Sequence, residues 1–178
     1  MKNLLYLKDL HKDEIIQLLD QSDHFLKSNQ PHEFVELLKN QSIASLFFEP
    51  STRTSASFQL AAKRLGAETI MIDEKTSSAT KGESVLDTIK NLEAMGVRGF
   101  IIRTGDKNLF APLIDNVGSN TSLISAGEAS ISHPTQGLLD LLTIRQQKSS
   151  FDDLKVVIMG DISHSRVARS LTEGLNIL

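Results

Sequence analysis

The 178-residue chain has no cysteine, no tryptophan and a single tyrosine. Without thiols it can form neither disulfides nor thiolate metal sites, which fits a reducing compartment and makes the cytoplasm the expected location. No apolar run approaches the roughly 20 residues that cross a bilayer. The N-terminus, MKNLLYLKDLHKDE, sets charge on both sides of a short apolar patch and lacks the apolar core of a secretion signal. A soluble, unexported protein without membrane partners is therefore expected. Net charge is scarce as well, since 19 basic against 22 acidic residues leave -3. Neither that balance nor the few aromatic rings suit nucleic acid, so no such partner is expected, and any basic site must be gathered locally. Two phosphate-binding signatures are also missing, G-x-x-x-x-G-K-[ST] and G-x-G-x-x-G. Internal repeats and low-complexity tracts are absent too.

What is present is a globular composition, 40% apolar and 23% charged, at a length that allows one domain or slightly more. Ile15, Leu18, Leu19, Ser22 and Leu26 recur at helical spacing and predict a first helix over Asp13 to Leu26 with that face inward. Short apolar runs follow at SIASLFF, ETIMID, GFIIR and TSLISA, each reading as a strand buried on both faces. Between them lie helical stripes ended by glycine. Phe58, Ala61, Ala62 and Leu65 stop at Gly66; Val85, Ile89 and Leu92 at Gly96; Leu109, Leu113 and Val117 at Gly118. Strands alternating with helices predict an α/β fold, a parallel sheet flanked by helices. Polar Gln147 to Lys155 reads as a connection, giving one unit over 1–147. LKVVIMGDISHSRVARSLTEGL then predicts a strand, turn and helix, the incomplete start of a second α/β unit over 148–178.

Ligands of such sheets bind beyond the carboxyl ends of the strands. At the first end, EPSTRTSASF places Pro50 as a strand stop and Ser51 as a helix cap. Unpaired amides, the Ser51, Thr52 and Thr54 hydroxyls and the Arg53 charge then make an anion cradle. An ordinary capped helix with a solvated arginine is the plain alternative. Arg103 ends GFIIR at the same rim, and two converging guanidinium forks suit phosphate or carboxylate. In SISHPTQGLL, His133 and Gln136 flank a helix start with Pro134 at its first position. No second histidine or acid stands at ligand spacing, so no metal is expected, and His133 reads as a donor to a carbonyl oxygen with Gln136 orienting an amide-like group. TSSATKGES is a small polar loop carrying Lys81 before a helix that begins near Gly82.

FFEPSTRT, TKGES, IIRTG, HPTQ and GDISHSRVARS in this order resemble the carbamoyltransferase family, over the whole chain. The resemblance is to its aspartate-using branch, because the ornithine-using branch typically has a basic residue at Glu49 and a cysteine at Thr135. It implies transfer of the carbamoyl group of carbamoyl phosphate to the amine of L-aspartate, in de novo pyrimidine biosynthesis, without a cofactor. Ser51, Thr52, Arg53, Thr54 and Arg103 would then bind phosphate, and His133 and Gln136 the carbamoyl end. Ser77 and Lys81 would reach in from the neighbouring subunit of a homotrimer with shared sites. Arg166 would contact the aspartate carboxylate, and Glu49 would engage site arginines when two domains close. Further assembly with regulatory or dihydroorotase-like chains belongs to the same implication. Arg53, Thr54, Lys81, Arg103 and His133 are the residues expected to act on the reacting groups.

Two departures accompany the resemblance. Ser55 and Gln59 stand where the family commonly has arginine and glutamate, four apart on one helix, so a charged pair has become neutral. The remainder of the aspartate-binding unit is also missing, which makes the chain read as an N-terminal fragment. Transfer to ornithine, a catalytically silent binding or assembly subunit, and a phosphate-binding α/β domain of other purpose are the competing readings.

Overall fold

The structure is a computed structural model describing residues 1–27, 36–73 and 83–178. Four strands, β1 (Ser42–Phe47), β2 (Glu68–Asp73), β3 (Gly99–Thr104) and β4 (Ser122–Glu128), form one sheet in the order β2-β1-β3-β4. All three pairings are parallel. Among the described residues six α-helices surround it: α1 (Lys12–Lys27), α2 (Thr52–Arg64), α3 (Val85–Ala94), α4 (Phe110–Asn116), α5 (Pro134–Lys148) and α6 (Arg166–Ile177). The expected parallel α/β sheet is therefore present.

Alternation along the strands sorts side chains to two faces. Ala44, Leu46, Phe100, Ile102 and Leu123 point to the face covered by α3 and α4, where they meet Ile89, Leu92, Phe110 and Leu113. Phe47, Ile101 and Ala126 point the other way, against Phe58 of α2. A second apolar cluster joins Leu4, Leu7 and Leu10 to Ile15 and Leu19 of α1 and Leu141 of α5, with Leu171 and Leu175 of α6 packed on it. Each such fully buried side chain contributes about 1.5–3 kcal/mol of transfer free energy. Residues 166–177 thus share a core with the N-terminal segment. The α5/α6 crossing is close because Gly137 and Gly174 present no side chain: a Cβ on Gly174 would sit 2.5 Å from Leu141 Cδ1.

The chain leaves β1 in one direction, to β2, and later extends the sheet in the other, through β3 to β4. That reversal makes the carboxyl ends of β1 and β3 the topological switch point, where open α/β sheets bind ligands. Gly66 and Gly96 lie at φ 83 and 99, as helix-ending glycines require.

Three expectations differ from the structure. β2 is half exposed rather than buried on both faces, because among the described residues its main neighbours are β1 and α2, whereas β4, the other edge, is covered by α5 and the Leu4 segment. In α1 only Ile15 and Leu19 are buried, while Ser22 and Leu26 are exposed to solvent. No strand forms in the LKVVIMG segment, where Val157 and Met159 are 80% and 88% exposed. Among the described residues that segment has no neighbour to complete a ladder, and an unpaired extended segment is not a strand. Helix α3 begins at Val85, capped by Ser84 and Asp87 in a reciprocal box, and Gly82 lies outside the described residues.

Candidate active site

A cavity of about 840 Å³ opens at the switch point. Its walls come from the start of α2, the end of β3, the start of α5 and the start of α6. Four distant stretches therefore meet there. Ser51, Thr52, Arg53 and Thr54 line one side, Arg103 the floor side, His133, Thr135 and Gln136 a third, and Arg166 the fourth. Ser77 and Lys81 lie outside the described residues.

Ser51 stands at the cap position of α2 with φ -160 and makes no side-chain bond to the helix. Its hydroxyl is thus left for a ligand, and the first amides of α2 have no partner within the helix. Arg53, within the first turn, is solvent-exposed. Ser55 and Gln59 behave as a neutral pair, with Gln59 Nε2 donating to Ser55 Oγ at 2.9 Å.

Arg103 and Arg166 are more tightly held. Between Ile102 and Thr104 the β3–β4 register shifts, so that β4 carries one extra residue opposite β3. This bulge frees the Ala126 carbonyl from the ladder, and it accepts from Arg103 Nη1 at 3.1 Å. The Ala129 carbonyl accepts from Arg166 Nη1 at 2.7 Å. Gly127, at φ 125, makes the approach possible: a Cβ there would sit 3.1 Å from Arg103 Nη1 and 3.3 Å from Arg166 Cζ. Glu49, just beyond β1, lies between the guanidinium groups with Oε2 3.6 Å from Arg103 Nε and 3.4 Å from Arg166 Nη1.

Arg103 Nε is nonetheless buried without a hydrogen-bond partner. A buried charged donor left open is costly, and an incoming anion would satisfy it. Burial, and then the neighbouring Arg166 charge, pull the Arg103 pKa below its usual value, with Glu49 opposing.

His133 is the N-cap of α5 and 8% exposed. Burial and the Arg166 and Arg103 charges lower its pKa to about 4, so it is neutral at pH 7. Its backbone N–H donates to Ser170 Oγ of α6 at 2.9 Å. Nδ1 lies 3.4 Å from the Thr135 hydroxyl, and among the described residues no partner reaches Nε2. Gln136 Nε2 donates to Asp140 Oδ1 at 3.0 Å.

Sequence reasoning missed the residues that hold this set together. Ser170 is fully buried against the start of α5 from a helix 37 positions away, and no local spacing announces it. Asp140 could have been found, being four residues after Gln136 on the same helix. Behind the bulge, fully buried Glu128 accepts from the Tyr6 hydroxyl at 2.6 Å, and its Oε1 has no partner. The chemistry available at the front is binding of a small, multiply charged anion beside a polarised carbonyl. Among the described residues no three metal-ligating side chains gather.

Comparison with known proteins agrees with this geometry. A curated relative from Stenotrophomonas maltophilia strain K279a, an aspartate carbamoyltransferase catalytic subunit, is 49% identical over 181 residues, which is 100% of this chain and 57% of that protein. A protein of the same description from Xanthomonas axonopodis pv. citri is 48% identical over 180 residues, again 57% of its length. The chain thus spans little more than half of these relatives. Aspartate transcarbamoylase from Trypanosoma cruzi in complex with carbamoyl phosphate superposes with a TM-score of 0.89 at 28% identity, covering 98% of this chain and 56% of that one. The same enzyme with carbamoyl phosphate and aspartate gives 0.90 at 28% identity, over 99% and 54%. Residues 2–146 match the family described as aspartate/ornithine carbamoyltransferase, carbamoyl-P binding domain, and the chain belongs to that family.

Proposed function

We propose that this chain is the carbamoyl-phosphate-binding part of an aspartate carbamoyltransferase, with residues 1–147 forming that unit and 148–178 beginning the aspartate-binding one. The observation that carries the reading is the meeting of the α2 start, Arg103, His133 and Arg166 around one cavity. The full reaction moves a carbamoyl group from carbamoyl phosphate to the amine of L-aspartate, a step of cytoplasmic pyrimidine biosynthesis.

In this reading the α2 amides, the Ser51, Thr52 and Thr54 hydroxyls, Arg53 and Arg103 hold the phosphate. His133, neutral at pH 7, donates to the carbonyl oxygen together with the Thr54 hydroxyl. Attack by the aspartate nitrogen forms the new C–N bond and sends charge first to that oxygen. The C–O bond to phosphate then breaks, and the departing phosphate accepts the amine proton. Donors fixed before the charge develops contribute the larger part, and positioning of two bound reactants the rest. Arg166 meets an aspartate carboxylate. No cofactor enters.

Calorimetric titration of the chain with carbamoyl phosphate, followed by assays of a full-length form carrying the rest of the aspartate-binding unit with aspartate and with ornithine separately, tests this. Binding with transfer to aspartate supports the reading; transfer to ornithine overturns the substrate, and binding without transfer to either supports a silent subunit. Ser77 and Lys81 complete the site from a neighbouring copy in a homotrimer. Mixing Ser51→Ala with Lys81→Gln chains, both in full-length form, should then regenerate activity that neither has alone. A mixture as inactive as its parents would sink the shared site.

A further inference from the structure

Gln136 reaches the cavity with an amide, and an amide has two unlike ends: the nitrogen donates two hydrogen bonds, the oxygen only accepts. Which end faces a ligand decides what the ligand must offer. Here the nitrogen is engaged, donating to Asp140 Oδ1 at 3.0 Å from one turn along α5. An ionised carboxylate accepts only, so Asp140 can hold Gln136 in one sense alone, with Nε2 toward the carboxylate and Oε1 left for the cavity that Gln136 lines.

The rest of the wall has the opposite character. Arg53, Arg103 and Arg166 and the α2 hydroxyls are donors, suited to phosphoryl, carbonyl and carboxylate oxygens. An acceptor-only oxygen, set among guanidinium donors and hydroxyls that serve in either sense, fits the one hydrogen-bond donor of the proposed ligand, the amino group of the carbamoyl moiety. We propose that Asp140 is a positioning residue which fixes the sense of the Gln136 amide, so that the site selects an amino group over an apolar group beside the carbonyl. This rests on the carbamoyl phosphate reading above and refines it.

An i, i+4 glutamine–aspartate pair also steadies a helix slightly, and that role alone would leave ligand preference untouched. Three probes of the chain by calorimetry separate the two: inorganic phosphate, carbamoyl phosphate, and acetyl phosphate, which replaces the amino group by methyl. The wild-type chain should prefer carbamoyl over acetyl phosphate by roughly tenfold, the worth of one hydrogen bond. In Asp140→Asn, whose amide offers both a donor and an acceptor, and in Asp140→Ala the preference should fall to about twofold or less, with phosphate affinity unchanged. Asp140→Glu, which keeps an acceptor in reach, should retain most of it. The asparagine variant preserves shape and decides the matter if the alanine variant is poorly folded.

A preference that survives in both Asp140→Asn and Asp140→Ala overturns the inference, as does a wild type that binds both acyl phosphates equally. A parallel loss of phosphate affinity overturns it too, by showing general damage. A wild type that binds none of the three overturns the carbamoyl phosphate reading itself, a different result from a lost or retained ratio.

Discussion

The turn that ends β4 has two sides, and each buries a titratable group in opposite company. On the cavity side the Ala126 and Ala129 carbonyls hold Arg103 and Arg166 beside His133. On the inner side Glu128 is enclosed with the Tyr6 hydroxyl, and Asp106 lies near enough to raise its pKa further. Burial pushes both His133 and Glu128 toward their neutral forms. The neighbours differ: cations on the front act in the same direction on a base, while on the back the tyrosine donor and Lys8 oppose burial of an acid. One side is a place prepared for an anion. The other fastens the turn that presents it.

The sharpest way to break the front is to remove a guanidinium. Arg103→Ala takes away the one buried side-chain donor that, among the described residues, lacks a hydrogen-bond partner, and with it a contact to the developing charge. By analogy with a lost oxyanion donor, transfer should fall by about 100-fold or more, roughly 3 kcal/mol, and calorimetry should show phosphate binding weakened alike. Near-normal values would remove Arg103 from the site.

Next in size is the pH dependence that separates the two sides. His133 has its folded pKa lowered from 6.5 to about 4, so the unfolded chain takes up its proton first as pH falls. Its contribution is complete at pH 7 and is lost between about pH 6.5 and 4, up to ~3 kcal/mol. In phosphate-free buffer the stability advantage of wild type over His133→Gln should shrink across that window. A constant advantage would mean that His133 is not held neutral by burial and the Arg166 and Arg103 charges.

Gly127→Ala attacks the boundary between the sides. Alanine is strained at φ 125, at a cost of about 1–3 kcal/mol, and its methyl group would press on both arginines. Thermal unfolding should occur lower, and phosphate affinity should fall further than stability alone explains. An unchanged affinity would show that the arginines do not depend on the bulge.

Much of the front was legible in the sequence because its parts are local devices: a proline stop, a hydroxyl at a helix cap, HPTQ around a helix start, an arginine at a strand end. Parallel pairing then delivers them to one rim. The spans of all four strands were legible for a similar reason, since continuous apolar runs bounded by turns have few other uses. β2 shows the limit, because an edge strand and a central one carry the same run and differ only in neighbours. VVIMG shows it again, being strand-like in composition and unpaired in the fold. The back of the turn left no trace at all. Tyr6 and Glu128 stand 122 positions apart, and the bridge of Leu4 to β4, with the Ser132 hydroxyl donating to the Leu5 carbonyl, brings them together.

That back side gives the smallest effect and the one of opposite sign. A carboxyl whose folded pKa is raised is favoured in the folded state while protonated. Its contribution is therefore present below the unfolded value near 4.5 and is lost as pH rises through the raised folded value. Glu128→Gln keeps the shape and an oxygen for Tyr6, and removes the titration. Relative to wild type it should gain stability as pH rises, whereas His133→Gln loses ground over a neighbouring range. Tyr6→Phe deletes the 2.6 Å donor and leaves the Phe110 backbone among the groups favouring the ionised form, so its cost of about 1–3 kcal/mol should grow with pH, and that growth should vanish when Glu128→Gln is already present. Additive effects in the double variant would uncouple the two residues and leave the turn fastened by its backbone bonds, Glu128 N–H to Ser132 and Ala129 N–H to Thr104, alone.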